Sequence, residues 1–353
     1  MIVVTDEKLH FQSLLHCGTR LGEKNQLIFY SLVYWSVFAI TLPVMRQLLV
    51  TLVKLALSAG LIWLSFTKID SANAVTLLRT LNPGLVGAAV ALLMIQHLLG
   101  GLRFHNLLRQ LQTPISRFSA INNIFVGFFF NQIFFSFIGG DAVRVWRLVD
   151  EKVPVSSAFK SVLFDRVLGF VSLIALIILS LPSLFTIVTD QAMRSSLLIT
   201  TLIGIFATIL FLLMHHLPTY FNRWRVFQIA SDISSIALLI SGRYAIISYL
   251  LCISMLIQIV NVIAIYLIAQ GLGVEAHFMD FLVLIPPVML LAILPISFAG
   301  WGVREGSMTL ALGLVGIHAE QSVAISICFG LCMIVSGLPG GISWLKTRKK
   351  DAV

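Results

Sequence analysis

Three short stretches of this chain set arginines and carboxylates beside glycines in otherwise apolar sequence. In the first, Gly139-Gly140-Asp141-Ala142-Val143-Arg144 runs on to Arg147. Two glycines permit a tight bend and close approach of backbone, and Asp141 is a good N-cap for a helix that would follow. Such a helix would turn its free amides toward the bend, and Arg144 and Arg147, three apart, would add two guanidinium forks on one face. A phosphate suits that arrangement, although a cytoplasmic loop with a capped helix would use the same residues. The second stretch is the pair Asp165 and Arg166, about six residues into a span expected to start near Ala158, or roughly 9 Å along its axis. Ionisable groups inside a membrane face the bundle interior and mark function, or form a structural pair whose arginine reaches the interface.

The third stretch, Gly300-Trp301-Gly302-Val303-Arg304-Glu305-Gly306, again sets a charged pair among glycines. Arg304 could pair with Glu305, with an acid of the earlier stretches, or with a substrate phosphate. Asn131 and Gln132 lie in the aromatic run Phe128 to Phe135, where polar groups need partners; they serve a ligand or tie two helices together. The expected substrate-binding set is therefore Asn131, Gly139, Gly140, Asp141, Arg144, Arg147, Asp165, Arg166, Gly300, Gly302, Arg304 and Glu305. Catalysis is not expected. No two histidines stand at i, i+4 with a carboxylate between them, and the four cysteines, Cys17, Cys252, Cys328 and Cys332, form no C-x-x-C pair. Neither a metal nor another cofactor is expected. No chain of carboxylates along one span suggests a proton path, and coupling through Asp141, Asp165 or Glu305 stays open.

The elements that must position these groups follow from composition. Of 353 residues 58% are apolar and 11% charged, against about 25% charged in a soluble domain, so the bilayer is the main solvent. The apolar runs are continuous, which selects helices over the alternating strands of a barrel. The fold class expected is all-α, a polytopic membrane protein with about six to eight transmembrane helices. Spans are expected at 47–66, 84–101, 159–182, 196–216, 244–269 and 322–345. The net charge of +9 is spread over the loops, which fits topology signals and lipid headgroups and argues against nucleic acid. Residues 1–44 are expected to be an extension ahead of a natural start at Met45, or, in a product that begins at Met1, to add an extra helix over 27–44; 45–346 is the expected transmembrane domain and 347–353 a basic cytoplasmic tail.

Arginine-rich joints at 102–118, 139–160 and 217–243 and the basic C-terminus are expected on the cytoplasmic face. That leaves 119–138 with both ends on one side, either as a re-entrant hairpin or as a span with a misread loop. Residues 281–303, broken by Pro286, Pro287 and Pro295, raise the same choice from the opposite face. The likeness of Ser136–Arg144 to Ser297–Arg304 suggests inverted repeats with a midplane site, with chance similarity as the alternative.

The residues that carry a family likeness are Asn131-Gln132 leading to Ile138-Gly139-Gly140-Asp141-Ala142-Val143-Arg144, then Phe164-Asp165-Arg166-Val167-Leu168-Gly169, then Pro295 leading to Gly302-Val303-Arg304-Glu305-Gly306. From about Met45 onward, in this order and spacing, the chain resembles the flippase-like transmembrane region of the lysylphosphatidylglycerol synthase family. It departs from that family at Phe134, Phe135 and Ser136, where a proline often precedes the glycine pair. The resemblance implies a multi-pass protein of the bacterial cytoplasmic (inner) membrane that moves or presents a lipid or lipid-linked precursor; the basic C-terminal end separately predicts a cytoplasmic C-terminus. It does not imply aminoacyl transfer, which in full-length synthases belongs to a separate soluble domain. The partners expected are membrane lipids, an anionic phospholipid or a polyprenyl-linked precursor, with Arg144, Arg147, Arg166 and Arg304 neutralising the headgroup. The alternative is a non-transporting partner or regulator of a glycosyltransferase or other lipid-modifying enzyme.

Overall fold

The computed structural model describes residues 81–133, 137–188, 191–213, 244–293 and 302–350, and every regular element among them is an α-helix. The expected extension 1–44, the span 47–66, the joint 217–243, Gly300 and the stretch Phe134–Ser136 lie outside the described residues. In chain order the helices are α1 Pro83–Gln110, α2 Arg117–Ile133, α3 Phe137–Asp150, α4 Val155–Ile187, α5 Gln191–Leu213, α6 Tyr244–Gly271, α7 Phe278–Ile293, α8 Val303–Gly313 and α9 Ala319–Lys350.

Local sequence sets several of these limits. Asn82 accepts hydrogen bonds from the Gly84 and Leu85 amides through its side chain, and Pro83 occupies the first position of α1, where no intrahelical amide partner is needed. Gly302, just ahead of α8, has φ +88°, a left-handed conformation open to glycine and strained for other residues. Helices α1, α4, α6 and α9 are long and apolar enough to cross a membrane. At 1.5 Å per residue the 28 residues of α1 extend about 42 Å, beyond a hydrocarbon core of about 30 Å. Helices α2, α3, α7 and α8 have 17, 14, 16 and 11 residues, so none exceeds about 26 Å.

The short helices pair into two antiparallel hairpins. In the first, Ser119 donates to Glu151 at the base, Asn123 and Arg144 bond across the middle, and Gly127 faces Gly140. In the second, Val283 and Leu284 of α7 pack against Ala311 of α8 and the following Leu314 and Val315. The hairpins therefore run over 117–150 and 278–313, and the narrower limits 119–138 and 281–303 are corrected: in each case a second helical arm follows the break.

The expected bend at Gly139-Gly140 is also corrected. Helix α3 already begins at Phe137, so Asp141 lies inside it and is not its N-cap. The glycine at 140 serves a helix crossing instead. A Cβ there would stand 2.0 Å from the Gly127 carbonyl oxygen and 2.4 Å from Asn131 Oδ1.

Lengths recur in the order long, short, short, long: α1 to α4, then α6 to α9. The first two corresponding pairs begin 161 residues apart (244 less 83, 278 less 117), and the other two 166 and 164 (303 less 137, 319 less 155). The first helices of the two sets run antiparallel, because the Asn82 amide bonds the Gly271 carbonyl at 2.9 Å at one end and Asn106 Nδ2 bonds the Tyr249 hydroxyl at 3.2 Å at the other. Packing follows the same exchange: α2 lies on α9 as α7 lies on α4, and α4 meets α6 as α9 meets α1. Gly340 makes the first of these seats possible, since a Cβ there would be 2.2 Å from the Phe125 carbonyl oxygen. The described helices thus form two inverted halves, each hairpin resting on the other half's last long helix.

Candidate functional site

On α1, Gln96, Gly100 and Arg103 recur at i, i+4 and i+7, the spacing of one helix face. Facing them, Asp165 projects from α4 ten residues after Val155, about 15 Å along the axis. This is deeper than the 9 Å expected, because α4 starts nearly a turn before Ala158. A carboxylate at that depth must be neutralised or paired.

Pairing is extensive. Arg103 Nε donates to Asp165 Oδ1 at 2.9 Å and its Nη1 donates to Ser254 of α6 at 2.8 Å. Arg144 Nη2 donates to Asp165 Oδ2 at 3.0 Å, its Nε to Asn123 at 3.2 Å, and its guanidinium lies over the Phe104 ring at 4.5 Å. Asn123 returns a bond to the Arg144 carbonyl at 3.0 Å, which fixes both side chains. Arg166 grips Asp141 with two bonds, Nε to Oδ2 at 2.8 Å and Nη2 to Oδ1 at 3.0 Å. Arg144 Nη1 reaches Asp141 at 3.4 Å and joins the two pairs into one cluster. Among the described residues of this cluster, three guanidiniums stand against two carboxylates, one positive charge in excess.

A cavity of about 580 Å³ opens beside this cluster. Its wall includes Arg103, Asp141, Arg144, Asp165 and Arg166 from the first half, and Gln258, Ile293 and Met333 from the second. Asp165 and Arg144 are buried, whereas the Arg166 side chain keeps 40% of its surface, turned to this space. The volume falls within the range of about 300–1,000 Å³ common for small-ligand sites.

Of the residues singled out in the sequence, Asn131, Gln132, Asp141, Arg144, Asp165 and Arg166 meet at this cavity. Gly140 sits behind it, accepting the close crossing and donating its amide to Asn131 Oδ1 at 3.0 Å. Gly139 precedes it on α3, outside the lining. Arg147 is not part of the wall: α3 buries the stripe Gly140, Arg144 and Leu148, and Arg147 flanks it.

Arg304 and Glu305 belong to a second cluster. Arg304 donates to Glu305 Oε1 at 2.8 Å and to Ser326 of α9 at 2.9 Å, with its guanidinium 5.5 Å from the Phe329 ring centre. Glu305 also accepts from the Gly302 amide and from Ser326 Oγ. Both charges are buried, and neither lines the cavity. Among the described residues, the acid that Arg304 pairs with is its neighbour Glu305. The two clusters occupy matching places in the halves, each tying the second hairpin arm to the next long helix.

Arg103, Gln96, His97 and Gln258 also line the cavity without having been singled out. Arg103 falls just past the expected end of its span at 101 and read as a loop arginine. The spacing Gln96, Gly100, Arg103 was the available signal. Among the described residues no group of three His, Cys, Asp or Glu side chains is arranged to hold a metal ion.

Residues 51–340 match the model of a family described as the lysylphosphatidylglycerol synthase TM region. No curated protein and no solved structure matches the chain.

Proposed function

The chain belongs to the lysylphosphatidylglycerol synthase TM-region family, and on that premise we propose that it translocates a lipid or lipid-linked precursor by taking an anionic headgroup into the cavity beside Arg166. The supporting observation is the surplus positive charge at mid-depth. A purely structural tie between helices is best neutral, since each uncompensated buried charge is costly. Here three arginines meet two aspartates, and the arginine with the most open surface faces the cavity. A phosphodiester brings the one negative charge that completes the cluster. The acyl or polyprenyl chains stay in the bilayer while the headgroup passes between the two halves.

Orientation in this reading follows the basic joints. Arg109, Arg117, Lys152 and Lys160 gather at the base of the first hairpin, which becomes the cytoplasmic face of a bacterial inner membrane and makes the C-terminus cytoplasmic. Arg304, outside the cavity wall, has a mechanical part instead of contacting the headgroup.

The test is reconstitution of the purified chain in vesicles carrying a fluorescent anionic phospholipid, with an impermeant quencher reporting exposure. Wild type is expected to equilibrate the label between leaflets and Arg166→Gln to slow it about tenfold, the worth of one charge-assisted bond of about 1.5 kcal/mol. A chain that moves no lipid alone but does so with an added lipid-modifying enzyme would favour the reading of a non-transporting partner.

A further inference from the structure

The two halves are not joined alike along every seam. Where α1 meets α6, the Asn82 amide bonds the Gly271 carbonyl at 2.9 Å and Asn106 donates to Tyr249 at 3.2 Å. Where α6 meets α4, Gln258 Nε2 donates to the Gly169 carbonyl at 3.0 Å. Where α1 meets α9, His97 Nε2 donates to Ser336 Oγ at 3.2 Å, the serine proton going to the Met333 carbonyl. The seam of α2 with α9 is a close backbone approach at Gly340 and Gly341. The seam of α4 with α7 has neither device. The polar side chain of α7, Asp280, caps its own helix by accepting from the His277 amide, and among the described residues no hydrogen bond or ion pair joins α7 to α4. Helix α7 has no glycine, and Gly169 of α4 has nothing within 4 Å of an added Cβ.

This seam is apolar along its length. Phe170, Leu173 and Ile177 of α4 pack with Met289 and Leu290 of α7, and further along Leu184 meets Val283 and Leu284. Both clusters are small and stand apart from the main core of either half. Phe170 lines the cavity from within the first of them, as does Ile293 one turn past Leu290. Leu173 stands eight residues past Asp165 (173 less 165), about 12 Å along α4. The apolar cluster therefore closes the cavity on the side away from the base of the first hairpin, and the exposed Ile178 and Leu179 put the seam at the lipid-facing surface.

We infer that the halves part at the α4–α7 seam, which is the gate of the cavity toward the bilayer; its role in lipid exchange rests on the translocation proposed above. The physical reason is the solvent. Lipid tails are as apolar as leucine, so an apolar seam between helices is held by packing alone, and acyl chains entering it restore much of the dispersion it loses. A hydrogen bond opened at the same depth has no such replacement, because lipid supplies neither donor nor acceptor. The glycine seat of α2 on α9 resists for another reason, since backbones in close contact lose packing along the whole crossing at once. Helices α1 and α6, bonded near both ends, form the axis that stays fixed.

The experiment uses the full chain in lipid nanodiscs and vesicles, its native cysteines replaced. Spin labels on Leu179→Cys and Met279→Cys, both exposed, report the α4–α7 distance by pulsed electron resonance, and labels on the exposed Phe118→Cys and Leu345→Cys report the α2–α9 distance. The first pair is expected to give a broad or two-peaked distribution and the second a single narrow one. In vesicles, a disulfide between Leu173→Cys and Leu290→Cys is expected to stop lipid exchange, and its reduction to restore it, so the reduced protein serves as its own folding control. A disulfide between Phe129→Cys and Gly337→Cys, across the α2–α9 seam, should leave exchange unchanged. An α4–α7 distribution as narrow as the α2–α9 one, or full exchange with the Leu173–Leu290 positions linked, would overturn the inference while leaving translocation intact. Two populated α4–α7 distances in a chain that moves no lipid would keep the gate and remove the functional reading beneath it.

Discussion

Asp165 is the residue on which the first cluster turns, because it accepts from Arg103 and Arg144 on separate oxygens. Asp165→Asn leaves two guanidiniums buried with Asp141 alone opposing three arginines. Breaking a buried pair in this way costs about 3–5 kcal/mol, so the variant should melt well below wild type in detergent or fail to accumulate in membranes. Arg166→Gln should behave differently. With an open side chain the variant should keep most of its melting temperature while losing anionic-lipid binding, measured by retention of labelled lipid on the purified protein. Much of this cluster was legible from residue type alone, since Asp141, Arg144, Asp165 and Arg166 are conspicuous charges in apolar sequence. Arg103 was not, because a charge two residues beyond an apolar run looks the same whether the helix stops or continues. Arg147 misled for the opposite reason: three residues of helix rotate a side chain far enough to leave a narrow buried stripe.

At the scale of elements, glycines decide how closely the hairpins pack. Gly340→Ala would press a methyl against the Phe125 carbonyl of α2, and backbone does not yield as a flexible side chain does. Such overpacking costs about 1–3 kcal/mol; the expected result is a lowered melting temperature together with slower lipid exchange in vesicles, whereas Gly169→Ala, with nothing within 4 Å of the added Cβ, should leave stability unchanged. The hairpins were legible as breaks in hydropathy, but their extents were not. A run of apolar residues marks what is buried, and the second arm of each hairpin, with Asp141 to Asp150 or Arg304 and Glu305, is polar enough to read as a loop. Tertiary partners, Asn123 for one arm and Ser326 for the other, supply what the local sequence lacks.

For the whole molecule, the antiparallel course of α1 and α6 sends the two hairpins in from opposite ends of the bundle. Single cysteines placed at Glu151 and at Glu320, in a chain whose native cysteines are replaced, should therefore react with an impermeant maleimide from opposite sides of sealed vesicles. Labelling of both from one side would contradict the inverted arrangement. The sequence hinted at this symmetry through one short likeness between Ser136–Arg144 and Ser297–Arg304. Charge hid the rest: Asp165 on α4 corresponds roughly to the neutral Ser326 on α9, so the halves share geometry without sharing residues.

The seat of the first hairpin on α9 also imposes an order on assembly. Helix α2 is complete at Ile133 and its partner begins at Ala319, so at roughly 5–20 residues per second the hairpin waits about 10 to 40 s in the membrane for the helix that will hold it. During that interval it has α1 to lean on, through the close approach of Gly101 to Ile121, and Arg103 lacks Ser254 until α6 arrives. A chain stalled before α9 would thus carry charged residues in the bilayer behind an unbraced hairpin, which makes the arrival of α9 the step that commits the first hairpin to its final form.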